Sequence, residues 1–213
     1  MSNLHFIHSD RYADVIELSK KFVSNNLTRP ILLFVEHKDD GSIVATDSIK
    51  ALIVNNIHGF TGSYLVNPKT LEFATGKYPD TKKMMSSDDY KRSITLNQEH
   101  VRIWLQMHRS MNQMFKTIYR DRNNVVAITI TADKANFEIP SPEDGLTYSL
   151  PFEEIISERE TIHYNNESMR DALHVFEKLK SKFITISFSG KLTPILLSDG
   201  EDISVLITPV RVL

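Results

Sequence analysis

The chain has 213 residues, of which 41% are hydrophobic and 24% are charged, so it has the composition of a globular protein rather than a disordered one. Its 25 Lys and Arg against 27 Asp and Glu give a formal net charge of −2, which excludes a surface that is basic throughout but leaves room for a basic patch. The absence of cysteine excludes disulfides, thiolate metal sites and cysteine nucleophiles. No apolar run is long enough to cross a membrane and no signal-peptide pattern opens the chain, so we expect a cytoplasmic protein with no membrane partner.

The first part of the chain predicts one helix among several short strands. Ser9 is the expected cap of a helix over residues 10–23, whose apolar side chains approximate one face. Asp39-Asp40-Gly41 has the composition of a hairpin turn. Residues 67–87 are poorly periodic and predict a loop with room for one short strand. The strands are predicted at residues 4–8, 31–37, 42–46, 51–57 and 63–66.

Two further helices are predicted, each between strands. Asn97 is the expected cap of a helix over residues 98–120, and a shorter helix is expected over residues 167–180, because both segments carry apolar residues at helical spacing. His108 falls within the apolar stripe of the longer helix, so we expect it to be a core histidine. The strands are predicted at residues 91–96, 125–131, 136–139, 161–164, 183–189, 194–198 and 203–212.

The order of strand, helix and strands recurs three times along the chain. Short turns join consecutive strands, whereas parallel strands would need long crossover connections, so the sheets should be antiparallel. The sequence therefore predicts an α+β protein in which each helix lies on one face of an antiparallel sheet.

The two longer helices each carry a row of cationic residues opposite the apolar row. In the first of them no acid occurs between Glu99 and Asp121, and three of the basic residues recur every seven positions, so they share a face. Two interpretations stay open: an ordinary solvated face, or a surface that holds duplex DNA through its phosphates without sequence preference. The candidate DNA-facing residues are Arg102, Arg109, Lys116, Arg120, Arg170, His174 and Lys178.

Four segments, taken in order, carry a family resemblance. They are RPIL at residues 29–32, VATDSIK at residues 44–50, GKYPDTKKM at residues 76–84 and LITPVRVL at residues 206–213. The chain resembles the bacterial DNA sliding clamp, the beta subunit of DNA polymerase III, over nearly all of its length. Ser48, Ile49 and Lys50 stand where the family motif has Gly, His and Arg, so the polarity of the site formed there should differ.

The resemblance implies a DNA-clamp-like fold of three half-domain units. A shortened clamp-like domain is expected over residues 1–90 and a complete one over residues 91–213, similar to the family's middle and last domains, with nothing that corresponds to its first domain. In the family an apolar pocket between these two domains receives short peptides of polymerases and the clamp loader. Carried over by motif, the expected peptide-binding residues are Leu32, Thr46, Ile49, Lys50, Pro79, Met84, Leu206, Thr208 and Val210. For Leu32, Leu206 and Val210 a purely structural place in the core stays open as the alternative.

The residues indicate no catalytic group, no metal site and no cofactor. His5 and His8 lack a carboxylate at ligand spacing, and acid pairs such as Asp39-Asp40 lie in turns. Motifs for phosphate loops, zinc proteases and nucleophile elbows are absent.

We therefore predict a non-enzymatic, DNA sliding clamp-like processivity factor. It would tether a DNA polymerase to duplex DNA, bind peptides of polymerase and clamp loader, and form a homo-oligomer. Two alternatives stay open. One is a clamp-derived adaptor or competitor that binds the same peptides without encircling DNA, and the other is a small hydrolase with an unrecognised site.

Overall fold

The structure is a computed structural model that describes residues 4–81, 90, 92–118, 124–130, 135–138, 147–150, 152 and 160–212. The chain divides into two compact units. The first comprises Met1–Thr81 and Glu201–Val205, and the second comprises Lys82–Gly200 and Leu206–Leu213. The predicted domains, residues 1–90 and 91–213, stay a prediction.

The first unit combines one short helix with an antiparallel sheet in the strand order β5-β4-β1-β2-β3. Strand β13 lies next to β3 in this sheet, although it comes from the end of the chain. The elements are α1 (Tyr12–Ser19), a single 3-10 turn (Pro30–Leu33), β1 (Val35–His37), β2 (Ile43–Thr46), β3 (Lys50–Val54), β4 (Tyr64–Val66), β5 (Phe73–Ala74) and the first part of β13 (Ile203–Ile207), up to Val205.

Strands β2 and β3 form the centre of this unit, and all of their residues are buried. The turn before β2 depends on Gly41, which has a φ of +82°, and an added Cβ there would lie 2.7 Å from the His58 carbonyl oxygen. The Asp40 carboxylate accepts the Ser42 amide at 3.0 Å and fixes the same turn. The predicted turn at Asp39-Asp40-Gly41 is therefore confirmed, because only glycine tolerates this conformation and close approach together.

Asp202 connects the segment Glu201–Val205 to the rest of the first unit. Its carboxylate accepts hydrogen bonds from the Arg11 guanidinium at 3.0 Å and from the Asn56 side-chain amide at 2.7 Å. Its backbone carbonyl accepts the Asn55 amide at 2.8 Å. One residue thus holds the start of α1 and the segment that follows β3.

The second unit contains the two longer helices and two groups of antiparallel strands. The strand orders are β12-β11-β6 and β10-β7-β8-β9. The elements are β6 (Arg92–Asn97), α2 (Gln98–Thr117), β7 (Val125–Ile130), β8 (Ala135–Glu138), β9 (Thr147–Leu150), β10 (Glu160–Asn165), α3 (Asn166–Lys178), β11 (Phe183–Phe188) and β12 (Ile195–Ser198).

Helices α2 and α3 begin in the same way and pack against each other. The Asn97 side chain accepts the His100 amide at 2.9 Å, and the Asn165 side chain accepts the Ser168 amide at 3.1 Å, so each helix has an asparagine N-cap. Their apolar stripes enter one core, whose largest fully buried side chains are Trp104, Phe115, Tyr164, Phe176 and Phe188.

The predicted α+β class is confirmed, and the described part of the chain has antiparallel sheets and three helices. Residues 4–8 are not a strand, because their one β contact is an isolated bridge from His8 to His58. The strand expected over residues 31–37 begins only at Val35, since Pro30 fixes its own φ and starts a 3-10 turn. Helix α1 is shorter than residues 10–23, and its N-cap is Arg11 rather than Ser9. Within the described residues no helix is long and apolar enough to cross a membrane.

Candidate functional site

Five of the predicted peptide-binding residues lie in the first unit. Leu32, Thr46 and Lys50 are buried, whereas Ile49 and Pro79 are exposed. The unit brings together three of the four segments that carried the family resemblance. Arg29 donates to the Ser48 hydroxyl at 3.5 Å, and a Cβ on Gly76 would lie 3.3 Å from the Ile31 side chain.

The turn between β2 and β3 is built by its own side chains. The Thr46 hydroxyl donates to the Lys50 carbonyl at 2.8 Å, while the Asp47 carboxylate accepts the Ile49 amide at 2.8 Å and the Lys50 amide at 2.9 Å. Ser48 has a φ of +76°, in the left-handed region that favours glycine, and it stands where the family motif has Gly. The turn leaves the Ile49 side chain 53% exposed.

Tyr78 anchors the segment at residues 76–81 to this turn, a role that the sequence analysis missed. Its buried hydroxyl accepts the Thr46 amide at 3.1 Å and donates to the Phe34 carbonyl at 3.0 Å. Burial raises the pKa of Tyr78 well above its ordinary value, so the hydroxyl stays protonated and can donate. The only signal in the sequence was an aromatic residue inside the GKYPD segment.

Lys50 is buried along its stem, and its ammonium lies over the Phe22 ring, 5.3 Å from the centroid. A cation over an aromatic face is attracted by the negative face of the ring. Phe22 thereby stabilises the one cation among the predicted peptide-binding residues.

The remaining predicted peptide-binding residues lie in the second unit or outside the described residues. Leu206 is buried, whereas Thr208 and Val210 are partly exposed. The Val210 amide donates to the His163 carbonyl at 2.8 Å, so the segment after β13 is held against β10. Met84 lies outside the described residues. That these residues form one peptide pocket stays a prediction.

The predicted DNA-facing residues of α2 form an exposed cationic row. Arg102, Arg109 and Lys116 are exposed, as a row opposite the buried stripe requires. Among the described residues, neither Arg102 nor Lys116 has an acidic partner within salt-bridge distance. Arg120 lies outside the described residues.

The predicted row on α3 differs, because acids on the same helix pair with it. Arg170 donates to Glu167 at 2.8 Å and to Asp171 at 2.7 Å, and the Asp171 side chain is only 3% exposed. His174 lies 3.7 Å from the Glu177 carboxylate and 3.4 Å from the Arg109 guanidinium of α2. Lys178 is exposed.

His108 lies on the buried side of α2 and is a core histidine, as predicted. Its Nδ1 donates to the Trp104 carbonyl at 2.7 Å, so Nε2 accepts the Tyr164 hydroxyl at 2.9 Å. Burial lowers the pKa of His108 to about 4, which keeps the ring neutral near pH 7.

Among its described residues the first unit contains two buried histidines, His37 and His58, that the sequence analysis did not single out. The Tyr12 hydroxyl donates to His37 Nε2 at 2.9 Å, and the ring of His37 packs against His58 and Phe60. Burial, with a smaller contribution from His58, lowers the pKa of His37 to about 4. Among the described residues there is no group of three or more His, Asp or Glu that could hold a metal ion.

The comparisons with known proteins find similar solved structures. No protein-family model and no curated protein matches the chain. The chain is similar to the DNA polymerase sliding clamp of Bacillus subtilis, with a TM-score of 0.80 and 22% identity over 100% of this chain and 67% of that chain. It is also similar to the beta subunit of the DNA polymerase of Streptococcus pyogenes, with a TM-score of 0.79 and 21% identity over 100% and 67% of the two chains.

A third similar structure is the Helicobacter pylori beta clamp bound to a DNA ligase peptide, with a TM-score of 0.75 and 15% identity over 100% of this chain and 68% of that one. The chain therefore has the DNA sliding clamp fold. Within that class it resembles the bacterial beta subunit of DNA polymerase III, as the four sequence segments indicated.

Proposed function

We propose that this protein is a sliding clamp-like processivity factor, which tethers a DNA polymerase to duplex DNA and has no catalytic activity of its own. The observation that carries the proposal is the match of the whole chain to the Bacillus subtilis sliding clamp at a TM-score of 0.80. At 22% identity this likeness is one of fold, so the function depends on the residues that the fold positions.

The proposed peptide-binding residues are Leu32, Thr46, Ile49, Lys50, Pro79, Met84, Leu206, Thr208 and Val210. The Helicobacter pylori clamp, whose fold this chain shares, was solved with a DNA ligase peptide bound. The hydrogen-bonded turn at residues 46–50 supports the proposal for this chain, because it exposes the apolar Ile49 next to Lys50, whose ammonium lies over the Phe22 ring. A short peptide needs such apolar contacts with a few polar groups at their edge.

The main proposed DNA-facing residues are those of α2. Arg102 and Lys116 are exposed cations on a protein of net charge −2, and phosphate contacts of this kind give affinity without sequence preference.

We also propose assembly into a homo-oligomer. Strand β9 is the outer strand of its described sheet, and an unpaired strand edge is a site at which another chain can add.

A second candidate is the adaptor or competitor that binds clamp-type peptides without encircling DNA. The pairing of Arg170 and His174 with acids favours it, because it reduces the cationic surface available to DNA. The two candidates differ in assembly and in DNA binding, and they agree on the peptide.

The experiment is a calorimetric titration of the full chain with a short peptide that has Gln followed by Leu and Phe, together with native mass measurement. We expect a micromolar Kd, about −8 kcal/mol, because ordering a flexible peptide offsets much of its contact energy. Leu206→Asp should weaken binding by at least ~2 kcal/mol. Leu192→Asp is the matched control, since Leu192 is 62% exposed and the same change there should have no effect.

Because Leu206 is buried, the folding of Leu206→Asp is checked by its thermal transition, and Ile49→His gives an independent measurement at an exposed position. Ile49→His restores the family residue and should tighten binding. If the protein binds the peptide and is an oligomer that binds DNA, the result supports the clamp. If it binds the peptide as a monomer that does not bind DNA, the result supports the adaptor. No binding at high micromolar concentration contradicts both.

A further inference from the structure

The Tyr78 hydroxyl lies within the hydrogen-bond ladder that joins β1 to β2. The Lys38 amide donates to the Ser42 carbonyl at 2.8 Å, which is a hydrogen-bonded position of this ladder. Such positions recur at every second residue of an antiparallel pair, so in the register of β1 and β2 Phe34 and Thr46 should form one as well. Instead the Thr46 amide donates to the Tyr78 hydroxyl at 3.1 Å, and that hydroxyl donates to the Phe34 carbonyl at 3.0 Å. A side-chain hydroxyl thus takes the place of a backbone hydrogen bond and separates the two strands by two bonds in series.

The segment that carries this hydroxyl is otherwise exposed. Of residues 75–80, all of which the structure describes, only Tyr78 is buried, with an exposed fraction of 6%. The buried ring therefore holds the hydroxyl in place between the strands. Pro79, one of the proposed peptide-binding residues, follows directly in the chain, so the hydroxyl links its segment to the turn that carries Ile49.

The turn at residues 46–50 depends on Thr46. Ser48 has a φ of +76°, a conformation that is costly for a residue with a Cβ. The Ser48 amide donates to the Thr46 hydroxyl at 3.1 Å, and the same hydroxyl donates to the Lys50 carbonyl at 2.8 Å. Because Tyr78 holds the amide of Thr46, a displacement of Thr46 would be transmitted to both ends of the Ser48–Lys50 segment.

We propose that Tyr78 is a positioning residue, whose hydroxyl keeps the turn at residues 46–50 in the conformation that exposes Ile49. Without this hydroxyl the Thr46 amide would either move toward the Phe34 carbonyl and draw the turn with it, or stay buried without an acceptor, which is unfavourable. The consequence for a bound peptide rests on the proposed function. The effect on the turn itself does not, and it can be measured without a peptide.

The variant Tyr78→Phe tests the proposal, because it removes the hydroxyl and keeps the buried ring. Amide hydrogen exchange of the full chain, followed by NMR, should show the Ile49 and Lys50 amides exchanging at least tenfold faster. The rates are taken relative to the amides of β11, which report stability elsewhere in the chain. Tyr64→Phe is the matched control, since Tyr64 is 39% exposed in the same unit and loss of its hydroxyl should change these rates no more than twofold.

A second substitution tests whether the hydroxyl acts through the turn. Glycine adopts a φ of +76° without strain, so adding Ser48→Gly to Tyr78→Phe should return the exchange rates to within threefold of the wild-type values. Unchanged rates in Tyr78→Phe, or an equal rise in Tyr64→Phe, overturn the proposal. So does a rise that Ser48→Gly leaves in place, because the hydroxyl then does not act through the conformation of the turn.

Peptide binding separates this proposal from the proposed function. In the calorimetric titration, Tyr78→Phe should bind the peptide with Gln, Leu and Phe at least fivefold more weakly, whereas Tyr64→Phe should bind it as the wild type does. An unchanged Kd in Tyr78→Phe overturns the positioning role. If the wild-type chain binds no peptide, the proposed function fails, and the exchange rates alone decide whether Tyr78 sets the conformation of the turn.

Discussion

Helices α2 and α3 have the same plan in sequence but differ in the charge they present. Each begins at an asparagine cap after a strand, buries an apolar stripe and carries cations at helical spacing. On α2 the described residues offer no salt bridge to Arg102 or Lys116, whereas on α3 Arg170 pairs with two carboxylates and His174 lies near a third. The difference shows that acids one or three positions from a cation on the same helix decide whether that cation is available to a polyanion.

The largest effect should come from removing Arg170, the cation of α3 that is paired with two carboxylates. Arg170→Met leaves the nearly buried Asp171 carboxylate without its guanidinium donor, so we expect the free energy of unfolding to fall by about 2–3 kcal/mol. Urea titration followed by circular dichroism measures it. Arg102→Met on α2 is the control and should change stability by less than about 0.5 kcal/mol. Equal losses in the two variants would remove the distinction between the helices.

Reversing the exposed cations of α2 should produce a change of similar size, in the affinity for DNA rather than in the stability of the fold. The triple variant Arg102→Glu, Arg109→Glu and Lys116→Glu should bind duplex DNA about 100-fold more weakly near 0.1 M salt. Three lost phosphate contacts should also reduce the log–log salt slope by about 2.7.

The control for this DNA measurement is Lys178→Glu on α3, which should reduce the slope by no more than about 0.9. Filter binding or anisotropy over a range of salt concentrations gives both slopes. Unchanged DNA binding in the triple variant would identify the α2 row as an ordinary solvated face.

The buried side of α2 predicts a dependence of stability on pH. The pKa of His108 is about 4 in the folded chain and about 6.5 in an unfolded one, so between these values the unfolded state binds more protons. Stability should therefore be full above pH 6.5 and be lost as pH falls toward 4, with about 2 kcal/mol lost between pH 7 and pH 5. His108→Gln should flatten this part of the profile. A variant that keeps the wild-type pH dependence would show that His37 or other groups cause it.

The smallest effect should come from the asparagine N-caps, which the two helices share. Asn97→Ala and Asn165→Ala each remove an N-cap acceptor and should lower stability by about 1 kcal/mol. Asn165→Asp retains the acceptor and should be nearly neutral. If only one of the two alanine variants lost stability, the two N-caps would not contribute equally to the stability of the fold.

The sequence predicted the parts of the fold that follow from local chemistry. The N-cap at Asn97, the glycine turn before β2 and the core position of His108 depend on residues close in sequence or on helical spacing. Strand β9 was not predicted, and residues 4–8 and 31–34 were wrongly expected as strands. These segments are short, so tertiary contacts such as the bridge from His8 to His58 and a single proline decide their conformation.

The candidate site was predictable only by motif, because its residues are far apart in sequence. Motif order indicated Thr46, Ile49 and Lys50, but it did not indicate Tyr78 or Phe22. Those two act through a hydroxyl 3.1 Å from the Thr46 amide and a ring beneath the Lys50 ammonium, contacts that exist only after folding. The acids that neutralise Arg170 were visible in sequence as i−3 and i+1 neighbours, and the charge pattern should have included them.

Asp202 has a consequence for how the chain reaches this fold during its synthesis. The first unit takes its last strand residues from Glu201–Val205, about 120 residues after Thr81, and Asp202 holds Arg11, Asn55 and Asn56. A ribosome adds roughly 5–20 residues per second, so the N-terminal unit waits several seconds or more with the outer edge of β3 uncovered. The amino-terminal unit is thus completed only near the end of synthesis, and a nascent chain halted before residue 201 would expose that edge to other chains.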